Sequence, residues 1–167
     1  TLDLLVGLAE QQRVAESLRA QQAGAIVNPT EGRAALHTAL RAPRDARIDV
    51  DGHDVVPAVH AVLDAMRTFA SAVRDGSHRG ATGERIRAVV HIGIGGSHLG
   101  PEMVTTALRP YVDPGLTVRF VSNVDAADLQ RALTGLDPAS TLCIVASKTF
   151  TTAETMANAR AVRGWLV

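Results

Sequence analysis

Hydrophobic side chains in the first half of the chain recur every three or four positions, which is the period of an amphipathic helix. This period predicts three helices, over residues 3–23, 30–40 and 57–74. The segment 41–54 contains a proline and a glycine among alternating charges, so it predicts a connector with one short strand around residues 48–50. Residues 1–82 are therefore predicted to form a helical N-terminal region.

From residue 83 onward the pattern changes to short, continuously apolar runs, as in parallel strands that are covered on both faces. The predicted strands are residues 88–94, 117–122 and 141–146. The predicted helices lie near residues 101–109, over 125–133 and from 151 onward. This alternation implies right-handed βαβ crossovers. The fold class is therefore α/β, with a parallel sheet sandwiched by helices over residues 83–167.

Charge and composition exclude several classes of function. The 167 residues are 46% hydrophobic, and 17 basic residues balance 17 acidic ones, so no broad field favours nucleic acid or an anionic membrane. No apolar stretch reaches the ~20 residues that span a bilayer. The single cysteine, Cys143, lies in an apolar run, and the six histidines have no metal-ligand spacing. We therefore expect a cytoplasmic protein with no metal and no cofactor.

The first predicted strand leads into a glycine-rich loop, Gly93–Pro101. Glycines let the backbone approach an anion closely, and the N–H groups at the start of a helix point toward it. Ser97 adds a hydroxyl donor. Pro101 is expected in the first turn of the following helix. This loop predicts a phosphate site.

The third predicted strand leads into a second polar loop that begins at Ser147. Lys148, the only lysine among the 17 basic residues, stands there among hydroxyl groups, and it offers phosphate a compact charge. Thr151 and Glu154 have the spacing of a capping box at the start of the next helix. This loop also suits phosphate, and ligands of parallel sheets bind beyond the carboxyl ends of the strands.

Other interpretations of these loops remain open at this point. A glycine-rich turn is often only a tight connection, and a threonine-rich helix start is often only a cap. Gly93 and Gly95 also match half of a dinucleotide-binding fingerprint, with Asp125 as a possible ribose ligand, but His98 occupies the place of the third glycine. His91, inside an apolar strand, is expected to be a hydrogen-bonded core residue.

Four segments together resemble the glucose-6-phosphate isomerase family. They are residues 28–37 (NPTEGRAALH), 92–101 (IGIGGSHLGP), 120–125 (FVSNVD) and 146–155 (ASKTFTTAET). They occur in the order of the family and cover the chain nearly from end to end. The resemblance implies a helical region that leads into a sugar-isomerase (SIS) domain. One departure is His98, where many relatives have aspartate.

The resemblance also implies which residues hold the substrate phosphate: Gly96, Ser97, Ser147, Lys148, Thr149 and Thr152. It implies the interconversion of glucose 6-phosphate and fructose 6-phosphate through an enediol, in a homodimer of the full-length protein. A carboxylate base is needed for that proton transfer. No counterpart of the catalytic base or of the ring-opening histidine of the family is identified in this chain.

The chain opens at Thr1 rather than at methionine, and its last predicted helix has no stop signal. We therefore expect a piece of a longer protein. Two hypotheses follow, an isomerase whose N-terminal portion is this chain, inactive alone, and a complete sugar-phosphate-binding module that senses without catalysis. The extent of the resemblance favours the first.

Overall fold

The computed structural model describes all residues from Thr1 to Val167. They form two compact units, Thr1–Thr68 and Phe69–Val167, and each unit is described by itself. The boundary expected between residues 82 and 83 stays a prediction. None of the helices is long and apolar enough to cross a membrane.

The first unit begins with two helices, α1 (Leu2–Gln11) and α2 (Val14–Gln22), where the sequence predicts one. Arg13 separates them with a left-handed backbone, φ +53°. A left-handed residue interrupts the ladder of backbone hydrogen bonds. Neither helix contains a buried residue, so tertiary packing does not force a continuous helix through this polar junction.

The helix predicted over residues 30–40 is wrong. Asn28 and Arg33 form an isolated antiparallel bridge, and the Asn28 side chain accepts a hydrogen bond from the N–H of Glu31 at 3.3 Å. Gly32 closes this turn with φ +61°. Only a 3-10 turn, Ala39–Arg41, is helical. The turn-forming chemistry of asparagine and glycine therefore prevails over the apolar period.

The predicted connector contains a small hairpin rather than a lone strand. Strands β1 (Asp49–Val50) and β2 (His53–Asp54) pair antiparallel. Asp51 and Gly52 join them with positive φ angles of 49° and 80°, the conformation that favours Asp-Gly in two-residue hairpins. Helix α3 (Val56–Asp75) follows, and this confirms the third predicted helix.

The Phe69–Val167 unit contains a parallel sheet of three strands in the order β4-β3-β5. The strands are β3 (Ala88–Ile92), β4 (Thr117–Val121) and β5 (Thr141–Val145). The helices are α4 (Gly96–Ala107), α5 (Ala126–Leu133) and α6 (Ala153–Leu166), with 3-10 turns at Arg109–Tyr111 and Pro138–Ser140. The α/β class and all three strands are confirmed. Asp125 caps α5 with its carboxylate, which accepts from the Ala127 N–H at 2.8 Å.

The core of this unit lies on one face of the sheet. Alternate residues of a strand point to opposite faces. Val90 and Ile92 of β3, both 0% exposed, cluster with Val121 of β4, Ala132 of α5 and Val162 of α6. His91 therefore points to the other face, and it is only 8% exposed.

Candidate phosphate-binding site

The two polar loops begin side by side at the carboxyl edge of the sheet. Strands β3 and β5 are neighbours, and their last residues, Ile92 and Val145, are paired in register. The backbone N–H of Ala146 donates to the carbonyl of Ile92 at 2.8 Å, which holds the start of the second loop against the end of β3. The fold therefore places the two loops next to each other.

In the first loop, Gly96 and Ser97 form the first two residues of α4. Gly95 precedes them at the cap position with φ +58°, a conformation that favours glycine. The carbonyl of Gly95 accepts from the N–H groups of His98 and Leu99. Gly96 is exposed and Ser97 is half-buried, so a phosphate can reach the start of the helix, where the helix dipole favours an anion.

Helix α4 begins earlier than the sequence predicts. The expected start was near Pro101, with the proline in the first turn, but Pro101 is the sixth residue of the helix. Proline lacks a backbone N–H, so it cannot donate to the carbonyl of residue 97, four positions earlier. The Nε2 atom of His91 lies 2.7 Å from that Ser97 oxygen. The predicted hydrogen-bonded core role of His91 is confirmed.

Gly93 leaves the space in which β3 and the first turn of α4 come together. A Cβ atom at this position would lie 2.6 Å from the Ser97 carbonyl oxygen and 3.2 Å from His91 Nε2. The backbone N–H of Gly93 donates to Val121 of β4 at 3.1 Å. A side chain at position 93 would therefore displace the turn that carries Ser97.

The second loop is ordered by its own hydroxyl groups. Ser147 Oγ accepts from the N–H of Phe150 at 3.1 Å and lies 3.5 Å from Thr152 Oγ1. The hydroxyls of Thr149 and Thr151 are 2.6 Å apart. Phe150 takes a left-handed conformation, φ +54°, and its side chain is exposed. The Ser147 hydroxyl therefore holds residues 147–152 in a tight turn through its contacts with Phe150 and Thr152.

The capping box predicted for α6 is wrong. The helix begins at Ala153, the cap residue is Thr152 rather than Thr151, and no side chain caps the helix by a hydrogen bond. The hydroxyl of Thr151 instead bonds to Thr149. Lys148, Thr149 and Thr152 are exposed, and Ser147 is half-buried. These groups are therefore accessible to an anion at the N-terminus of α6.

His98 is one residue beyond Ser97 and is buried, with 8% of its surface exposed. Its Nε2 lies 3.0 Å from a carboxylate oxygen of Glu102, and its ring meets Phe120 edge-on at 5.8 Å. Its Nδ1 is buried without a hydrogen-bond partner. His98 is thus bound to its own helix on one side and packed against β4.

Sequence reasoning missed one residue that shapes this edge of the sheet. Asn158 of α6 is 3% exposed, and its Nδ2 donates to the Asn123 carbonyl, in the segment that follows β4, at 2.8 Å. A lone asparagine inside a helical pattern gives no signal of such a contact. The bond ties α6, the helix that follows the second loop, to the segment after β4.

The carboxylates whose pKa values are lowered lie outside both loops. Hydrogen bonds from Arg47, Arg44 and Ser77 lower the pKa values of Asp49, Asp64 and Asp75 respectively. Burial raises the pKa of the Cys143 thiol in β5. None of these shifted groups belongs to either polar loop.

A family model describes this combination of fold and loops. Residues 1–167 match the model of phosphoglucose isomerase. The chain belongs to the phosphoglucose isomerase family. This membership confirms the resemblance and removes the support for a dinucleotide site, which depended on a partial glycine pattern.

Curated relatives and a solved structure agree with this assignment. The chain is 60% identical to glucose-6-phosphate isomerases of Mycolicibacterium vanbaalenii, over 100% of this chain, and of Frankia casuarinae, over 99% of it. A crystal structure of glucose-6-phosphate isomerase from Chlamydia trachomatis superposes over 98% of the chain with a TM-score of 0.73 and 32% identity. A hypothetical protein from Thermus thermophilus, 24% identical over 99% of this chain and 31% of its own, shares the fold with a TM-score of 0.60.

The chain spans about 30% of the length of these relatives, 30% of both curated isomerases and 31% of the Chlamydia protein. The whole chain therefore corresponds to less than a third of each of these longer relatives. The roles of the six site residues stay predictions, because family membership alone does not place a ligand.

Proposed function

We propose that this chain provides the phosphate-binding part of a glucose-6-phosphate isomerase that interconverts glucose 6-phosphate and fructose 6-phosphate. The observation that carries the proposal is the adjacency of the two polar loops at the ends of β3 and β5, within a chain of this family. Each loop opens at a helix N-terminus, and both are accessible.

The phosphate sits, in this proposal, between the N-termini of α4 and α6. Backbone N–H groups at Gly96 and the hydroxyl of Ser97 donate from one side. The ammonium of Lys148 and the hydroxyls of Ser147, Thr149 and Thr152 donate from the other, the ligand set predicted from the sequence. Two helix N-termini and one ammonium complement the dianion that a sugar phosphate carries at neutral pH.

The phosphate anchors a substrate whose reaction takes place several bonds away. Ring opening exposes the carbonyl, a base removes the proton from C2, the enediol forms, and the proton returns at C1, so substrate and product are isomers. Anchoring the phosphate restricts the positions of C1 and C2 and thereby lowers the entropic part of the barrier. The loops contain the anchor, and we assign the base to no residue of this chain.

Replacing Lys148 tests the proposal. In Lys148→Ala, loss of a charge-assisted hydrogen bond should weaken binding of fructose 6-phosphate by about ten- to hundredfold, measured by calorimetry on the protein at its full native length. Affinity for unphosphorylated fructose should not change. Arg160→Ala is the matched control, because it removes an exposed positive charge from α6 outside the loop. Equal losses in both variants, or for both sugars, would contradict a phosphate site at Lys148.

A coupled assay of fructose 6-phosphate conversion separates the isomerase from a binding module without catalysis. Turnover by the protein at its full native length, reduced in Lys148→Ala, supports the isomerase. Binding without turnover would support the sensor. A cytoplasmic location and a homodimer accompany the isomerase proposal, and gel filtration of the same preparation tests the dimer.

A further inference from the structure

His91 lies under the first turn of α4. It is the fourth residue of the central strand, in register with Phe120 of β4 and Ile144 of β5. Its ring is 5.5 Å from the Phe120 ring, and the residue is 8% exposed. A polar side chain buried in the middle of a sheet normally needs a hydrogen-bond partner. The partner here is the carbonyl oxygen of Ser97, 2.7 Å from Nε2.

The Ser97 carbonyl needs that partner because of Pro101. In a regular helix the carbonyl of residue i accepts from the N–H of residue i+4. For Ser97 that residue is Pro101, which has no N–H. Because a carbonyl only accepts, Nε2 of His91 carries the proton and donates. The side chain of the strand therefore replaces the backbone donor that the helix lacks.

Gly93 permits the close approach of the Ser97 carbonyl to β3. The absence of a side chain there lets the Ser97 carbonyl approach β3, since a Cβ would meet it at 2.6 Å. The turn that carries Gly96 and Ser97 is thus fixed by the strand beneath it. The Gly95 carbonyl keeps its helix hydrogen bonds from His98 and Leu99, and the Ser97 carbonyl is held by His91 instead of by a backbone N–H.

We propose that His91 is a positioning residue for the phosphate site, acting through the Ser97 carbonyl. The inference rests on the proposed function, because it assigns His91 to the orientation of Ser97 and Gly96 toward the phosphate. His91 itself does not touch the ligand. Its Nε2–H group holds the Ser97 carbonyl in the first turn of α4. That donor is needed because Pro101 has no backbone N–H to offer.

The dependence on Pro101 gives a rescue experiment. His91→Phe keeps a ring and removes the donor, and we expect it to weaken fructose 6-phosphate binding by about tenfold in the protein at its full native length. His91→Gln supplies an N–H of similar reach and should restore most of the affinity. Pro101→Ala returns the backbone N–H to the helix, so His91→Phe should cost less than threefold in the Pro101→Ala background.

Each alternative result has a distinct meaning. If Lys148→Ala binds as tightly as the unaltered protein, the proposed phosphate site fails. If Lys148→Ala weakens binding but His91→Phe does not, or if His91→Phe costs the same with and without Pro101, the positioning role is refuted. Should His91→Phe fail to fold, the comparison of Pro101→Ala with the double variant decides, because both regain the helix donor. A long-range ¹H–¹⁵N spectrum that shows the proton of His91 on Nδ1 would also refute it.

Discussion

Substitution of Gly93 by alanine tests how closely β3 and α4 are joined at the site. The new Cβ would lie 2.6 Å from the Ser97 carbonyl oxygen, and ordinary contacts begin near 3.4 Å, so the carbonyl must retreat by about 0.8 Å. Gly93 does not have a positive φ. The added methyl group therefore acts through its close contacts with the Ser97 carbonyl and His91 Nε2, and not through backbone strain.

The cost follows from that displacement. Inserting one methyl group into a closely packed contact typically lowers the free energy of unfolding by about 1–3 kcal/mol. The same movement pulls the Ser97 carbonyl away from His91 Nε2, whose present separation is 2.7 Å. We therefore expect Gly93→Ala to lower stability by about 2 kcal/mol and to weaken fructose 6-phosphate binding by about tenfold, since Ser97 and Gly96 move with the turn.

Urea unfolding measures the first effect, and calorimetric titration with fructose 6-phosphate measures the second. Gly100→Ala is the matched control, because Gly100 is inside the same helix and a Cβ there would meet nothing within 4 Å. Alanine in a helix interior is favoured over glycine by roughly 0.5–1 kcal/mol. The control should therefore be slightly more stable than the unaltered protein and should bind the sugar phosphate equally well.

Two results would refute this reasoning. If Gly93→Ala is as stable as the Gly100→Ala control, the strand and the helix are not in the close contact described. If Gly93→Ala loses stability but keeps its full affinity, the position of the first turn of α4 does not govern binding.

Two further predictions concern the sheet. Ile92→Ala empties a fully buried position between the sheet and its helices and should lower the free energy of unfolding by about 2–5 kcal/mol in urea titration, whereas an equal change at the exposed Ile144 should cost clearly less. Because burial raises the pKa of Cys143, its thiolate fraction at pH 8 should be small, and iodoacetamide should modify it more slowly than a free thiol. Stability should also fall as the pH rises above the ordinary thiol pKa, because the folded state retains the proton; equally fast modification of folded and unfolded chains would contradict the shift.

The second half of the fold was predictable because its signals agree with one another. The strands coincide with the apolar runs of the sequence, and β3 is buried along its whole length. Asp125 marks the start of α5 by a cap whose side-chain bond is present. The family motifs also indicated which of the loops carry the predicted phosphate-binding residues. The ends of β3 and β5 had to lie on the same edge, because parallel strands share their direction.

The helix predicted over residues 30–40 fails because its apolar period consists largely of alanine. Alanine occupies 27 positions of the chain, so spacings of three and four arise without an apolar face to bury. Asn28 and Gly32 meanwhile offer specific turn geometry, with a side-chain hydrogen bond and a positive φ. Local turn chemistry therefore outweighs a period that carries little burial energy.

The start of α4 could not be read from the sequence for a different physical reason. Pro101 favours a helix start at its own position, because the first turn needs no N–H there. An interior proline costs about 3 kcal/mol, partly because it leaves the carbonyl four positions earlier without a backbone donor. Here the His91 side chain, ten positions before Pro101 and on another element, pairs that carbonyl. Pro101 removes a hydrogen bond from the Ser97 carbonyl and His91 supplies one, so both residues act on the same carbonyl. Because that contact also positions Ser97, the geometry of the candidate site depends on a residue that no phosphate-binding pattern includes.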